Sequence, residues 1–154
     1  MVLYFAYGAN MDTEQMARRC PGAIPLAKTR LANWRFLITT EGYASIAPKT
    51  GAQVHGVIWQ LTLRDIAALN AYECLDSGLY VRRTLGLPYG GRVARALVYT
   101  AGTCREGRPR PGYHRVLIKA AQHWELPPGY VEMLRRLVPW RLFGARKPEA
   151  GELT

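Results

Sequence analysis

The sequence predicts an α+β fold: a small mixed β-barrel or sheet of about five to seven strands with flanking helices. Three observations predict it. Short β-branched and aromatic runs recur between turn formers, a helical pattern separates the first run from the next, and two amphipathic helical stretches lie together near the C-terminus. A doubly wound dinucleotide fold would need repeated βα units and a glycine-rich turn after the first strand, where Gly8 stands alone.

Residues 2–7, Val-Leu-Tyr-Phe-Ala-Tyr, read as a buried strand that enters a tight loop at Gly8 and Asn10. A helix follows, with Asp12 or Thr13 as N-cap, Met11, Met16 and Ala17 as apolar positions, and Cys20-Pro21-Gly22 as the stop. Residues 23–39 partly alternate and predict one or two strands, and 42–48 a loop with a short strand. Residues 54–61, Val-His-Gly-Val-Ile-Trp-Gln-Leu, read as a central strand preceded by Gly51. The next helix takes Thr62 as N-cap, Asp65 in its first turn and Ile66, Leu69 and Tyr72 or Glu73 on one face. It ends near Cys74, before Asp76-Ser77-Gly78. Strands over 79–87 and 92–99 are joined by Pro88-Tyr89-Gly90-Gly91, a hairpin turn. After an exposed loop over 103–112, one helix runs from Tyr113 to about Trp124 with Val116, Leu117, Ala120 and Ala121 on one side. A second starts at Pro128, a favoured first helical residue, and Pro139 ends it.

At 154 residues, 49% of them hydrophobic, the chain can bury one sizeable core without disulfides or metals. A single domain is expected over 1–140, with a flexible charged tail over 141–154. Cys20, Cys74 and Cys104 are odd in number, widely spaced and without a CxxC pair, which fits a reducing cytoplasm. The N-terminus shows neither the basic region and apolar stretch of a signal peptide nor a spanning helix, so neither export nor membrane insertion is expected.

The formal charge of +10 attracts anions. The arginines are scattered, at 18–19, 82–83, 105–115 and 135–136, rather than gathered into a stripe interleaved with aromatics, so the pattern does not favour nucleic acid. No metal site is expected, because no two ligand-type residues recur at helical spacing or in a Cys/His cluster. His55 falls in a strand and reads as structural, and His114 and His123 do not share a helix face. Ser45 and Ser77 lack a GxSxG frame.

Two features can carry chemistry. The corner Tyr7-Gly8-Ala9-Asn10 delivers backbone amides to a helix start, where they either grip a carboxylate or an oxyanion or form an ordinary turn with Asn10 as cap. Glu73 stands among Leu69, Tyr72 and Leu75 at a helix end. If buried it has a raised pKa suited to general acid/base work; if exposed it is a surface carboxylate.

Taken together, the Tyr7-Gly8-Ala9-Asn10 corner and Glu73 followed by Ser77-Gly78-Leu79-Tyr80 resemble the gamma-glutamylcyclotransferase family. The likeness extends to Gly42-Tyr43-Ala44-Ser45-Ile46, to residues 54–59 and to Pro111-Gly112-Tyr113, over about residues 3–138. The family loop usually reads Tyr-Gly-Ser-Asn; Ala9 replaces the serine here, so a hydroxyl is lost while the amide remains. Cys74 stands where the family commonly has glycine. The resemblance implies attack of a gamma-glutamyl α-amine on its own side-chain carbonyl, releasing 5-oxoproline and an amine without a cofactor. Glu73 would be the catalytic acid/base, and Tyr7, Gly8, Ala9, Asn10, Tyr80 and Tyr113 the substrate-binding residues. The partner is then a small gamma-glutamyl amino acid, peptide or amine. Two alternatives stand beside it: a non-catalytic binding domain on the same fold, and a basic RNA-binding protein.

Overall fold

A computed structural model describes residues 2–73 and 78–139. Its strands are β1 (Val2–Ala6), β2 (Ile24–Ile38), β3 (Ala44–Leu61), β4 (Tyr80–Tyr89) and β5 (Arg92–Ala101). Its helices are α1 (Thr13–Arg19), α2 (Leu63–Tyr72), α3 (Pro111–His123) and α4 (Pro128–Arg135), with one 3₁₀ turn over Ala9–Met11. The fold is α+β: a five-stranded mixed sheet in the order β2-β3-β1-β5-β4, antiparallel except where β1 runs parallel to β5. The sheet curls toward a barrel, and the Thr29 hydroxyl on β2 donates to the Pro88 carbonyl on β4 across the gap between its edges.

Strand pleating sends alternate residues to two cores. Tyr4 and Ala6 on β1, with Val57, Trp59 and Leu61 on β3, face Leu69 of α2 and Ala120, Val131 and Leu134 of the C-terminal helices. Phe5 and Tyr7, with Val54 and Ile58, face the concave side with Leu87 and Val98. The closest backbone approach falls at Gly56, where a Cβ would stand 2.2 Å from the Ala6 carbonyl oxygen. Glycine is what lets β1 and β3 register there.

Several boundaries differ from the sequence reading. The segment 42–48 is not a loop with its own short strand: Ala44 opens β3, which runs on for 18 residues. Its length is tolerated because a bulge opposite Asn33 (φ 68°) and a turn at Gly51 (φ 87°) kink it, and Asn33 Oδ1 accepts from the Gly51 amide at 3.0 Å. Pro88 and Tyr89 belong to β4, so the hairpin loop is only Gly90-Gly91, both at positive φ as a two-residue type I′ turn requires. Ala17, expected on the apolar face of α1, is exposed. α3 starts at Pro111 rather than Tyr113. The stop at Cys74, Asp76 and Ser77 and the tail over 141–154 lie outside the described residues.

Candidate active site

Glu73 is placed by α2, and α2 is placed by Asp65. The Thr62 hydroxyl accepts from the Asp65 amide at 3.1 Å, while the Asp65 carboxylate accepts from the Thr62 amide at 3.0 Å and from the Gly22 amide at 3.2 Å. This buried carboxylate therefore starts α2 and ties it to the chain leaving α1. Ten residues on, the helix ends at Tyr72, and Glu73 is its C-cap with the amide bonded to the Leu69 carbonyl at 2.8 Å. The side chain is left partly buried at the wall of a cavity of about 260 Å³.

The opposite wall is the end of β1 and the turn after it. Tyr4, Tyr7, Gly8, Ala9 and Asn10 line it, with Tyr43 and Ala44 where β3 begins, Leu79 just before β4 and Tyr80 from it, Tyr99 from β5, Tyr113 from α3, and Arg19 and Tyr72 at the Glu73 side. All the residues singled out in the sequence, Tyr7, Gly8, Ala9, Asn10, Glu73, Tyr80 and Tyr113, thus line one cavity. None of the three histidines does. His55 packs against the Tyr130 ring at 4.8 Å with its pKa lowered by burial and by Arg30, and His114 Nε2 bonds the Leu134 carbonyl at 2.8 Å. No cluster of three metal-ligand side chains exists among the described residues.

The corner differs in one respect from the expected helix start. Ala9–Met11 form a separate 3₁₀ turn whose Met11 amide is closed onto the Gly8 carbonyl at 3.0 Å. α1 begins only at Thr13, where Asp12 caps it by accepting from the Gln15 amide at 3.1 Å. The dipole of α1 is therefore spent on Asp12, and Asn10 caps nothing. Its side chain instead accepts from Arg19 and donates to the Tyr4 hydroxyl at 3.0 Å.

Burial sets the proton affinities. It pushes Glu73 up from 4.5 to about 7, against the opposing pull of the Arg19 guanidinium, which lies 3.8 Å over the Tyr72 ring. Burial likewise raises Tyr4, Tyr7, Tyr80 and Tyr113 well above the usual phenol value, and Tyr99 to about 12. These phenols stay protonated near neutral pH, so Glu73 is the group in the cavity poised to exchange a proton.

Sequence reasoning did not assign Tyr4, Arg19, Tyr43, Ala44, Tyr72, Leu79 or Tyr99 to the site. Arg19 sits in the last turn of α1 and Tyr99 on the neighbouring strand β5, and only the tertiary fold brings them beside Glu73.

A small curled α+β sheet with an acid facing a tyrosine-lined cavity is an arrangement suited to proton transfer on a small molecule. The family described as Gamma-glutamyl cyclotransferase, AIG2-like matches residues 4–126, and the chain belongs to that family of cyclising enzymes. A mouse protein named Gamma-glutamylcyclotransferase is 28% identical over 150 residues, covering 89% of this chain and 79% of its own. A solved structure titled Gamma-glutamyl cyclotransferase superimposes with a TM-score of 0.83 at 24% identity, over 99% of this chain and 93% of the other, which is a likeness of fold. A solved protein from Homo sapiens described as uncharacterized superimposes with a TM-score of 0.82 at 27% identity, over 90% of this chain and 88% of its own.

Proposed function

We propose that this protein cyclises the gamma-glutamyl group of a small amino acid, peptide or amine conjugate, releasing 5-oxoproline and the free amine. The observation that carries the reading is the placement of Glu73: at a helix end, partly buried, with a pKa of about 7, facing the Gly8–Asn10 turn across a cavity lined by phenols. The cavity, at about 260 Å³, lies below the usual range of roughly 300–1,000 Å³ for drug-sized sites, which suits an amino-acid-sized group.

In this reading the Glu73 carboxylate takes a proton from the substrate α-ammonium. The freed amine attacks the side-chain carbonyl carbon and forms a five-membered ring and a tetrahedral oxyanion. Collapse of the oxyanion expels the other nitrogen, to which Glu73 returns the proton; Glu73 then takes the second proton from the ring nitrogen and passes it to the departing amine, which leaves as an ammonium. One group serves both nitrogens because both are bonded to the same carbon in the intermediate, and no water or cofactor enters the balance. The turn at Gly8–Asn10 holds the substrate, with Tyr7, Tyr80 and Tyr113 at its polar ends. We place the reaction in the cytoplasm, in keeping with Cys20 and Cys104, which are both unbridged. Among the described residues no helix is long and apolar enough to cross a membrane.

The reading is tested by incubating the protein with a panel of gamma-glutamyl amino acids, peptides and amines and measuring 5-oxoproline by mass spectrometry. Formation from at least one member is expected, and formation from none overturns it.

A further inference from the structure

A tyrosine hydroxyl gives one hydrogen bond and offers two lone pairs, so its partners in the folded protein determine what it can still do for a ligand. Tyr7 donates to the Tyr99 carbonyl, Tyr80 donates to the Ala44 carbonyl at 2.8 Å, and Tyr99 donates to Asn70 Oδ1 at 2.7 Å. These three have spent their protons and present only lone pairs. Tyr113 is the reverse. The Ala44 amide donates to its oxygen at 3.0 Å, while no described residue accepts its proton. Tyr4 likewise accepts once, from Asn10.

Resting on the reading above, we propose that Tyr113 is the hydrogen-bond donor to the substrate's side-chain carbonyl oxygen, and that Tyr7 and Tyr80 serve only as acceptors for its ammonium. Tyr113 is suited to the role by position. Its oxygen lies directly against the turn, where a Cβ on Gly8 would stand 2.7 Å from it, and its ring is held edge-on by Tyr43 at 5.2 Å between centroids. The Ala44 N–H donating to the phenol oxygen polarises the O–H bond and strengthens it as a donor. As the amine nitrogen bonds to the carbonyl carbon, the π electrons move onto oxygen and the Tyr113 proton is shared with that oxyanion. When the carbon–nitrogen bond to the leaving amine breaks, the electrons return, the 5-oxoproline carbonyl re-forms and Tyr113 keeps its proton. A preorganised donor of this kind, aimed where charge develops, acts on kcat rather than on ground-state binding.

The experiment measures kcat and KM for 5-oxoproline release from gamma-glutamylalanine. Tyr113→Phe is expected to lower kcat by about 10²-fold or more with KM changed only a few-fold. Because that variant also orphans the Ala44 amide, a second measurement introduces 3,5-difluorotyrosine at position 113 or at position 80, which keeps ring and oxygen but makes the phenol a stronger donor and a poorer acceptor. Fluorination at 113 should leave kcat at or above wild type, and fluorination at 80 should lower kcat/KM. A Tyr113→Phe enzyme within a few-fold of wild-type kcat, or a kcat lowered by fluorination at 113, overturns the proposal while leaving the cyclotransferase reading intact. Absence of 5-oxoproline from wild-type protein with gamma-glutamylalanine and the whole panel overturns both.

Discussion

Glu73 is held where the protein pays for it in stability. Its folded pKa of about 7 exceeds the ordinary 4.5, so between these values the native state binds more protons than the unfolded one and stability falls as pH rises. The penalty is complete above about pH 7 and absent below about pH 4.5, and its size is about 3 kcal/mol. Glu73→Gln keeps the shape and removes the charge. Denaturant unfolding should therefore find the variant more stable than wild type at about pH 8 by roughly 3 kcal/mol, with the gap closing at about pH 4. An equal gap at both pH values would mean that Glu73 is not a desolvated acid. The sequence identified Glu73 as a carboxylate among apolar neighbours, but its burial depends on contacts that no local pattern encodes. Arg19 shows the same limit. Its charge opposes the rise in the Glu73 pKa, yet in sequence it reads as an ordinary basic residue in the last turn of a helix.

At the level of the elements, the turn after β1 fixes the geometry of the cavity. Gly8 is needed there for close approach: a Cβ would meet the Tyr113 hydroxyl oxygen at 2.7 Å and the Ala44 Cβ at 3.3 Å. Gly8→Val should push Tyr113 and the start of β3 away from the turn, lowering both the melting temperature and the affinity for substrate. A variant with wild-type stability and KM would show that the turn is not part of the binding site. Elements whose ends are set by local chemistry were legible: the capping box at Thr62 and Asp65, Pro128 opening α4, and Gly90-Gly91 closing the hairpin. Elements set by pairing were not. The single long β3 and the parallel contact of β1 with β5 follow from burial of two sheet faces, and the 3₁₀ turn at Ala9–Met11 stands between Gly8 and α1, whose N-cap falls at Asp12, one of the two residues the local reading offered.

Across the chain, charge is the remaining signal, and a formal +10 is compatible with either an anionic metabolite or nucleic acid. Salt separates the two. Steering of a small substrate is screened beyond about 8 Å at physiological ionic strength, while contacts inside the cavity persist, so kcat/KM should fall only modestly as salt is raised. Binding through many phosphates would instead weaken by orders of magnitude over the same range. Parallel assays of 5-oxoproline formation and retention of a labelled RNA across one salt series should show turnover that is nearly salt-independent. Tight, salt-sensitive RNA retention without any 5-oxoproline would leave the family membership as a shared fold with a different function.

The most direct measurement is the pH dependence of kcat/KM for 5-oxoproline formation in wild type and Glu73→Gln. The site as described predicts a wild-type rise with its half-point at about 7, as Glu73 gives up its proton. It predicts a Glu73→Gln rate about 10²–10⁴ lower in which that rise is gone. A Glu73→Gln enzyme within a few-fold of wild type, or one that keeps the same half-point, would contradict the assignment of Glu73 as the acid/base.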